Sequence, residues 1–159
     1  MEKSIKDIAQ PLQINICIQG NLGLTLKHKA SYNLIILTTD RCFIGHSLGG
    51  LLGSHILIEQ PQLFNRYIIG SPSYWWDNKE ITKRLSSKNI LLTDSVKTVF
   101  TFIGGKEGVH ITNWKEFDSI LVNKINKNIK FHDQIFQDET HQSVVPAAFS
   151  TAVKFVYKK

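Results

Sequence analysis

The chain predicts an α/β fold, a parallel sheet crossed by helices, and three observations carry that expectation. Short apolar, β-branched runs alternate with helix-like runs from Arg41 to the C-terminus. A glycine-flanked serine, Gly45-His46-Ser47-Leu48-Gly49, lies between the first of these strands and the helix behind it. Loops carrying serine, glycine and charged residues follow the strands, where open parallel sheets place their sites.

The elements follow in order. Arg41-Cys42-Phe43-Ile44 reads as a strand and Gly50 to Glu59 as a helix, which ends near Gln60 because Pro61 cannot continue it. Tyr67-Ile68-Ile69-Gly70 is continuously apolar, as in a strand covered on both faces. Lys79 to Ser87 reads as a charged surface helix, and Asn89 to Asp94 as a turn region around Leu91 and Leu92. Val96 to Ile103 is β-branched and aromatic and stops at Gly104-Gly105. Trp114, Phe117, Leu121 and Ile125, spaced by three and four, form one stripe of a helix from Thr112 to about Asn126. Ile129 to Ile135 give the last strand and Val144 to Tyr157 the last helix. Ile44, Ile69, Phe102 and Phe131 are therefore expected on adjacent parallel strands.

A chain of 159 residues with 42% hydrophobic content fits one domain with a real core. No run is long enough to span a bilayer, and Met1 to Asp7 has no apolar stretch behind it, so a cytoplasmic protein without membrane contact is expected. Cys17 and Cys42 each lie in an apolar run and read as buried thiols. The net charge of +6 comes from scattered lysines without interleaved aromatics. That describes a solvated basic surface, and no nucleic-acid partner is expected. No cofactor or metal is expected either.

The glycine-flanked serine has the form of a nucleophile elbow, the alternative being a chance glycine turn in a βα unit. The elbow must raise the serine Oγ out of a tight strand-to-helix turn, and Gly45 and Gly49 are expected to remove the Cβ atoms that would crowd it. A serine hydroxyl attacks poorly until a base takes its proton, and an anion behind the base fixes the tautomer. His141, between the last strand and the last helix, is the expected base, with His110 as rival. Glu107, in the loop Gly104-Gly105-Lys106-Glu107-Gly108, is the expected acid; Asp118, well inside a helix, is expected at the surface. Asp138 and Glu139 are poorly placed to reach the far nitrogen of a histidine in their own loop. The Leu48 N–H, at the head of the elbow helix, is the expected oxyanion donor.

Four stretches together resemble the esterase D-type α/β-hydrolases, in particular the bacterial branch that includes siderophore (enterobactin) esterases. They are Arg41 to Gly50, Phe64 to Asp77 with its Ser71-Pro72-Ser73-Tyr74-Trp75-Trp76 element, Gly105-Lys106-Glu107, and His141 to Ala147. The resemblance implies hydrolysis of carboxylic esters of small molecules by Ser47, Glu107 and His141. It also implies that Ser71, Ser73, Tyr74 and Trp75 border the substrate pocket; the plainer alternative is that Trp75 and Trp76 cover the rim of the core.

Residues 1–40 depart from that pattern as an atypical N-terminal segment ahead of a 41–159 core. Leu12 to Ile18 and Asn33 to Leu37 could each form one strand. Gly20, in Gln19-Gly20-Asn21-Leu22-Gly23, superficially suits an oxyanion loop, but only 47 − 20 = 27 positions separate it from Ser47. That leaves little room for the usual strand and crossover helix. The expectation is an α/β-hydrolase fold truncated at the N-terminal half of its parallel sheet, with self-association through the uncovered edge. A serine esterase acting through an acyl-enzyme is the leading function. A catalytically weak or inactive remnant or interaction protein is the alternative, and a peptidase or acyltransferase with the same nucleophile is a third.

Overall fold

The computed structural model describes residues 40–89 and 95–158. The expected strands at Leu12–Ile18 and Asn33–Leu37, the Gly20 loop, Cys17 and the turn around Leu91 and Leu92 lie outside them. Within them the chain runs β1 (Cys42–His46), α1 (Leu48–Glu59), a 3-10 turn (Pro61–Leu63), β2 (Arg66–Gly70), α2 (Trp76–Ser87), β3 (Lys97–Gly104), α3 (Val109–Val122), β4 (Ile129–Phe136) and α4 (Val144–Val156). The four strands form one sheet in sequence order, β1-β2-β3-β4, with every neighbouring pair parallel. Ile44 pairs with Ile68, Ile69 with Thr101 and Phe102 with Gln134, so the expected strands are adjacent.

Alternation along the strands separates two cores. Phe43, Tyr67, Ile69, Val99 and Ile103 face the side that buries Leu51, Leu57, Trp114, Phe117 and Leu121 from the helices. Cys42, Ile68, Phe100 and Phe102 face α4, whose Val144, Ala148, Ala152 and Val156 recur every fourth residue and are all fully buried. Strands as apolar as β2 and β3 suit this sandwich, because each of their faces meets a helix.

Three boundaries differ from the sequence expectation by three residues or more. α3 begins at Val109, three residues before Thr112, because Gly108 caps it at φ 56° and the His110 N–H already bonds the Glu107 carbonyl. It ends at Val122, so Ile125 packs on the core from beyond the helix. α2 opens at Trp76, but Asp77, Asn78 and Lys79 hold left-handed dihedrals, with φ of 48°, 50° and 62°, and regular helix resumes only after them. Among the described residues no helix is long and apolar enough to cross a membrane.

Candidate active site

Each strand hands the chain to its neighbour one residue beyond its end. Ser47 N–H donates to the Gly70 carbonyl at 3.0 Å, Ser71 N–H to Phe102 at 2.7 Å, and Gly105 N–H to Phe136 at 2.8 Å. This staircase sets the elbow, the serine-proline-serine loop, the Gly104–Gly108 loop and the histidine loop along one edge of the sheet. There they surround a cleft of about 520 Å³ lined by Ser47, Ser71, Ser73, Trp75, Glu107 and His141, with Lys106, His110, Thr140 and Gln142 around them.

Ser47 has φ 58° and ψ −120°, a left-handed conformation costly for a residue with a Cβ. Gly45 makes it possible: a Cβ there would stand 2.3 Å from the Gly49 carbonyl oxygen and 2.7 Å from the Phe43 ring. Gly49 does not share that task, contrary to expectation, since a Cβ on it meets no described atom within 4 Å. Leu48 is the first residue of α1, so its N–H has no partner within the helix and points out of the helix end beside Ser47.

Glu107 and His141 come together. His141 Nδ1 lies 2.7 Å from Glu107 Oε2. The other carboxylate oxygen, Oε1, accepts from the Gly104 N–H at 2.7 Å and from the Ser71 hydroxyl at 2.6 Å. An ionised carboxylate only accepts, so this contact calls for a proton on Nδ1, which in a neutral imidazole leaves the Nε2 lone pair free. The Glu107 side chain is only 3% exposed against 36% for His141, so the carboxylate is buried behind an imidazole that reaches the cleft. The approach depends on Gly104, where a Cβ would stand 2.6 Å from the Glu139 carbonyl oxygen and 2.9 Å from both Glu107 Oε1 and the Thr140 carbonyl oxygen.

Ser47 Oγ lies 3.3 Å from Ser73 Oγ, its hydrogen-bond partner among the described residues. Ser47 Oγ makes no hydrogen bond to His141 among the described residues, a contact expected to be long without a ligand; the two side chains share the cleft. His46 approaches the base instead, its ring 4.4 Å from that of His141. Burial, and then any positive charge carried by His141, lower the His46 pKa, while a hydrogen bond with the His141 backbone and the Glu107 charge oppose them. The balance favours the neutral form of His46 beside His141.

The four residues expected at the pocket divide. Trp75 lines the cleft with 47% of its surface exposed, and its ring stands 6.2 Å from that of His110. Ser71 and Ser73 also line it, with the Ser71 hydroxyl donating to Glu107. Tyr74 does not reach the cleft: it is fully buried, stacked on Phe117 at 4.0 Å, with its hydroxyl 2.7 Å from Ser54 Oγ. Successive loop residues point in opposite directions, and the aromatic one is drawn into the core between α1 and α3. Asp118 likewise is not at the surface but 3% exposed, accepting from Thr101 of β3. Lys106 and Gln142, which the sequence alone does not single out, are cleft residues next in the chain to Glu107 and His141, and that adjacency was the available signal.

No protein-family model matches the chain. It is 26% identical over 137 residues to the siderophore enterobactin esterase of Emericella nidulans, covering 70% of this chain and 45% of that protein. It is 31% identical over 121 residues to the ferri-bacillibactin esterase BesA of Bacillus subtilis, covering 70% of this chain and 40% of that one. Among solved structures it is similar to the BES protein from Bacillus cereus, with TM-score 0.63 and 29% identity over 72% of this chain and 44% of the other. An IroE-like serine hydrolase from Shewanella oneidensis shares the fold, with TM-score 0.60 and 22% identity over 71% and 38%. The homologues are thus siderophore esterases, the fold is that of the α/β-hydrolases, and the chain spans less than half the length of the curated relatives it matches.

Proposed function

We propose that the chain is a carboxylic-ester hydrolase that works through an acyl-enzyme on Ser47, with His141 as general base, Glu107 as its acid and the Leu48 N–H as an oxyanion donor. The observation that carries this reading is the 2.7 Å contact of Glu107 with His141 at the cleft that Ser47 enters from a left-handed turn. A buried carboxylate with two hydrogen-bond partners besides the histidine, Gly104 and Ser71, has no need of a histidine for solubility or packing, but a base that must hold one tautomer needs the carboxylate.

In the first step the Ser47 proton passes to His141 Nε2 and the freed electron pair forms the Oγ–carbon bond. The carbonyl π pair moves to oxygen, beside the Leu48 N–H. Collapse of that intermediate expels the alcohol, which takes the proton from His141. Water attacks the acyl-enzyme by the same route and regenerates Ser47. The relatives' names support siderophore esters as the substrate class, and the exposed Trp75 face and Lys106 at the cleft suit a large, polar, aromatic-bearing ester.

The test is labelling of the purified, folded chain with a small fluorophosphonate. Wild type is expected to label and Ser47→Ala not to; a folded wild type that stays unlabelled refutes the proposal. One observation favours the alternative of a weak or inactive hydrolase: Ser47 Oγ has Ser73, and not His141, as its hydrogen-bond partner among the described residues. A hydrolase short of one oxyanion donor would lose about 3–4 kcal/mol of transition-state stabilisation, or roughly 10²–10³-fold in kcat. Labelling with turnover of a short activated ester reduced by that factor is the outcome which favours this second reading.

A further inference from the structure

Ser73 touches Ser47 at two points. Its N–H donates to the Ser47 carbonyl oxygen at 3.1 Å, and its hydroxyl oxygen lies 3.3 Å from Ser47 Oγ. Ser73 is 4% exposed, so its hydroxyl has little access to water. The loop holding it is fixed on both sides: Ser71 N–H is tied to the Phe102 carbonyl at 2.7 Å, and Tyr74 is wedged against Phe117 and bonded to Ser54. Ser73 therefore cannot drift with a ligand, as a residue serving mainly to contact substrate would.

A serine side chain has three staggered rotamers, and a nucleophile is useful in only one of them. We propose that Ser73 is a positioning residue for the nucleophile, its hydroxyl donating to Ser47 Oγ in the resting state and selecting one Ser47 rotamer. With a Ser47 lone pair occupied in this way, the Ser47 proton remains free to be given to His141. At 3.3 Å the contact is longer than the usual hydroxyl pair, so it restrains Oγ without strongly opposing its attack on carbon. Ser73 keeps its own proton throughout, and no bond to it forms or breaks.

This inference rests on Ser47 being the nucleophile, and its experiment separates the two. The full chain and its Ser73→Ala and Ser73→Thr variants are labelled with a small fluorophosphonate, which has no acyl group and only a short alkoxy substituent in the cleft. kcat and KM are measured with a short activated ester, and melting temperatures establish that folded proteins are compared. Ser73→Ala is expected to slow labelling by about three- to tenfold, the worth of one neutral hydrogen bond, and to lower kcat similarly with KM unchanged. Ser73→Thr, which keeps the hydroxyl, is expected to recover most of the labelling rate. An alanine variant that labels at the wild-type rate overturns the proposal, and a raised KM in that variant would make Ser73 a substrate contact instead. If wild type itself does not label, the nucleophile assignment fails and this inference with it.

Discussion

Ser71 shows how one residue's role is decided by its backbone. It sits at φ 37°, a conformation that favours glycine, yet its side chain is buried and donates to Glu107 Oε1 at 2.6 Å. Strain of this kind costs about 1–3 kcal/mol and persists where surrounding structure imposes it. Ser71→Gly is therefore expected to keep or raise the melting temperature while slowing fluorophosphonate labelling of Ser47 by about tenfold or more, since a hydrogen bond to a carboxylate is worth about 1.5–3 kcal/mol. Equal labelling in that variant would show that Gly104 and His141 suffice to hold the acid. The residue types at 47, 107 and 141 were legible in the sequence because the chemistry admits few others. That Ser71 serves the acid and Tyr74 the core was not legible, since adjacent loop residues differ only in the direction the folded backbone gives them.

At the level of elements, the two loops after β3 and β4 interlock, and glycine decides how closely. Gly104→Ala would push a Cβ to 2.6 Å from the Glu139 carbonyl oxygen, so it is expected to destabilise by about 1–3 kcal/mol and to slow labelling by prising Glu107 from His141. Gly49→Ala makes the converse case: within α1 and with open space at its Cβ, it is expected to be neutral or to stabilise by up to about 1 kcal/mol. Thermal unfolding of the two variants checks both, and loss of stability in the Gly49 variant would show a contact that the described residues lack. Strand and helix identities were readable from periodicity, whereas helix starts were not. The left-handed Gly108 sets where α3 begins, and the left-handed run at Asp77–Lys79 where α2 becomes regular.

Across the whole molecule, the helices on one sheet face enclose a polar group the fold must accommodate. Asp118 of α3 faces Thr101 of β3, and burial raises its pKa from 3.8 to about 8, with the Thr101 hydrogen bond opposing and the Asp133 charge adding. The carboxyl keeps its proton in the folded chain but loses it above about pH 4 when unfolded. Its contribution is thus fully present below the unfolded pKa and is lost as pH rises through the folded one. Asp118→Asn is expected to remove that loss: the variant should unfold at higher temperature than wild type near pH 8, with the gap closing towards pH 4. A gap that does not change with pH would mean that Asp118 is ionised in the folded state.

The sequence by itself determined the alternation that makes a parallel α/β sheet and the glycine-flanked turn at Ser47, and it singled out Glu107 and His141 as the candidate acid and base. These follow from local rules: turn chemistry, apolar period and the need of a hydroxyl for a base. Only the tertiary structure decided what those residues lean on. Ser71 under the acid, His46 beside the base, Ser73 against the nucleophile and Tyr74 in the core are contacts between segments remote in the chain. The register of β1 to β4 brings them together, and no spacing in the sequence encodes how close a loop after one strand comes to a loop after the next.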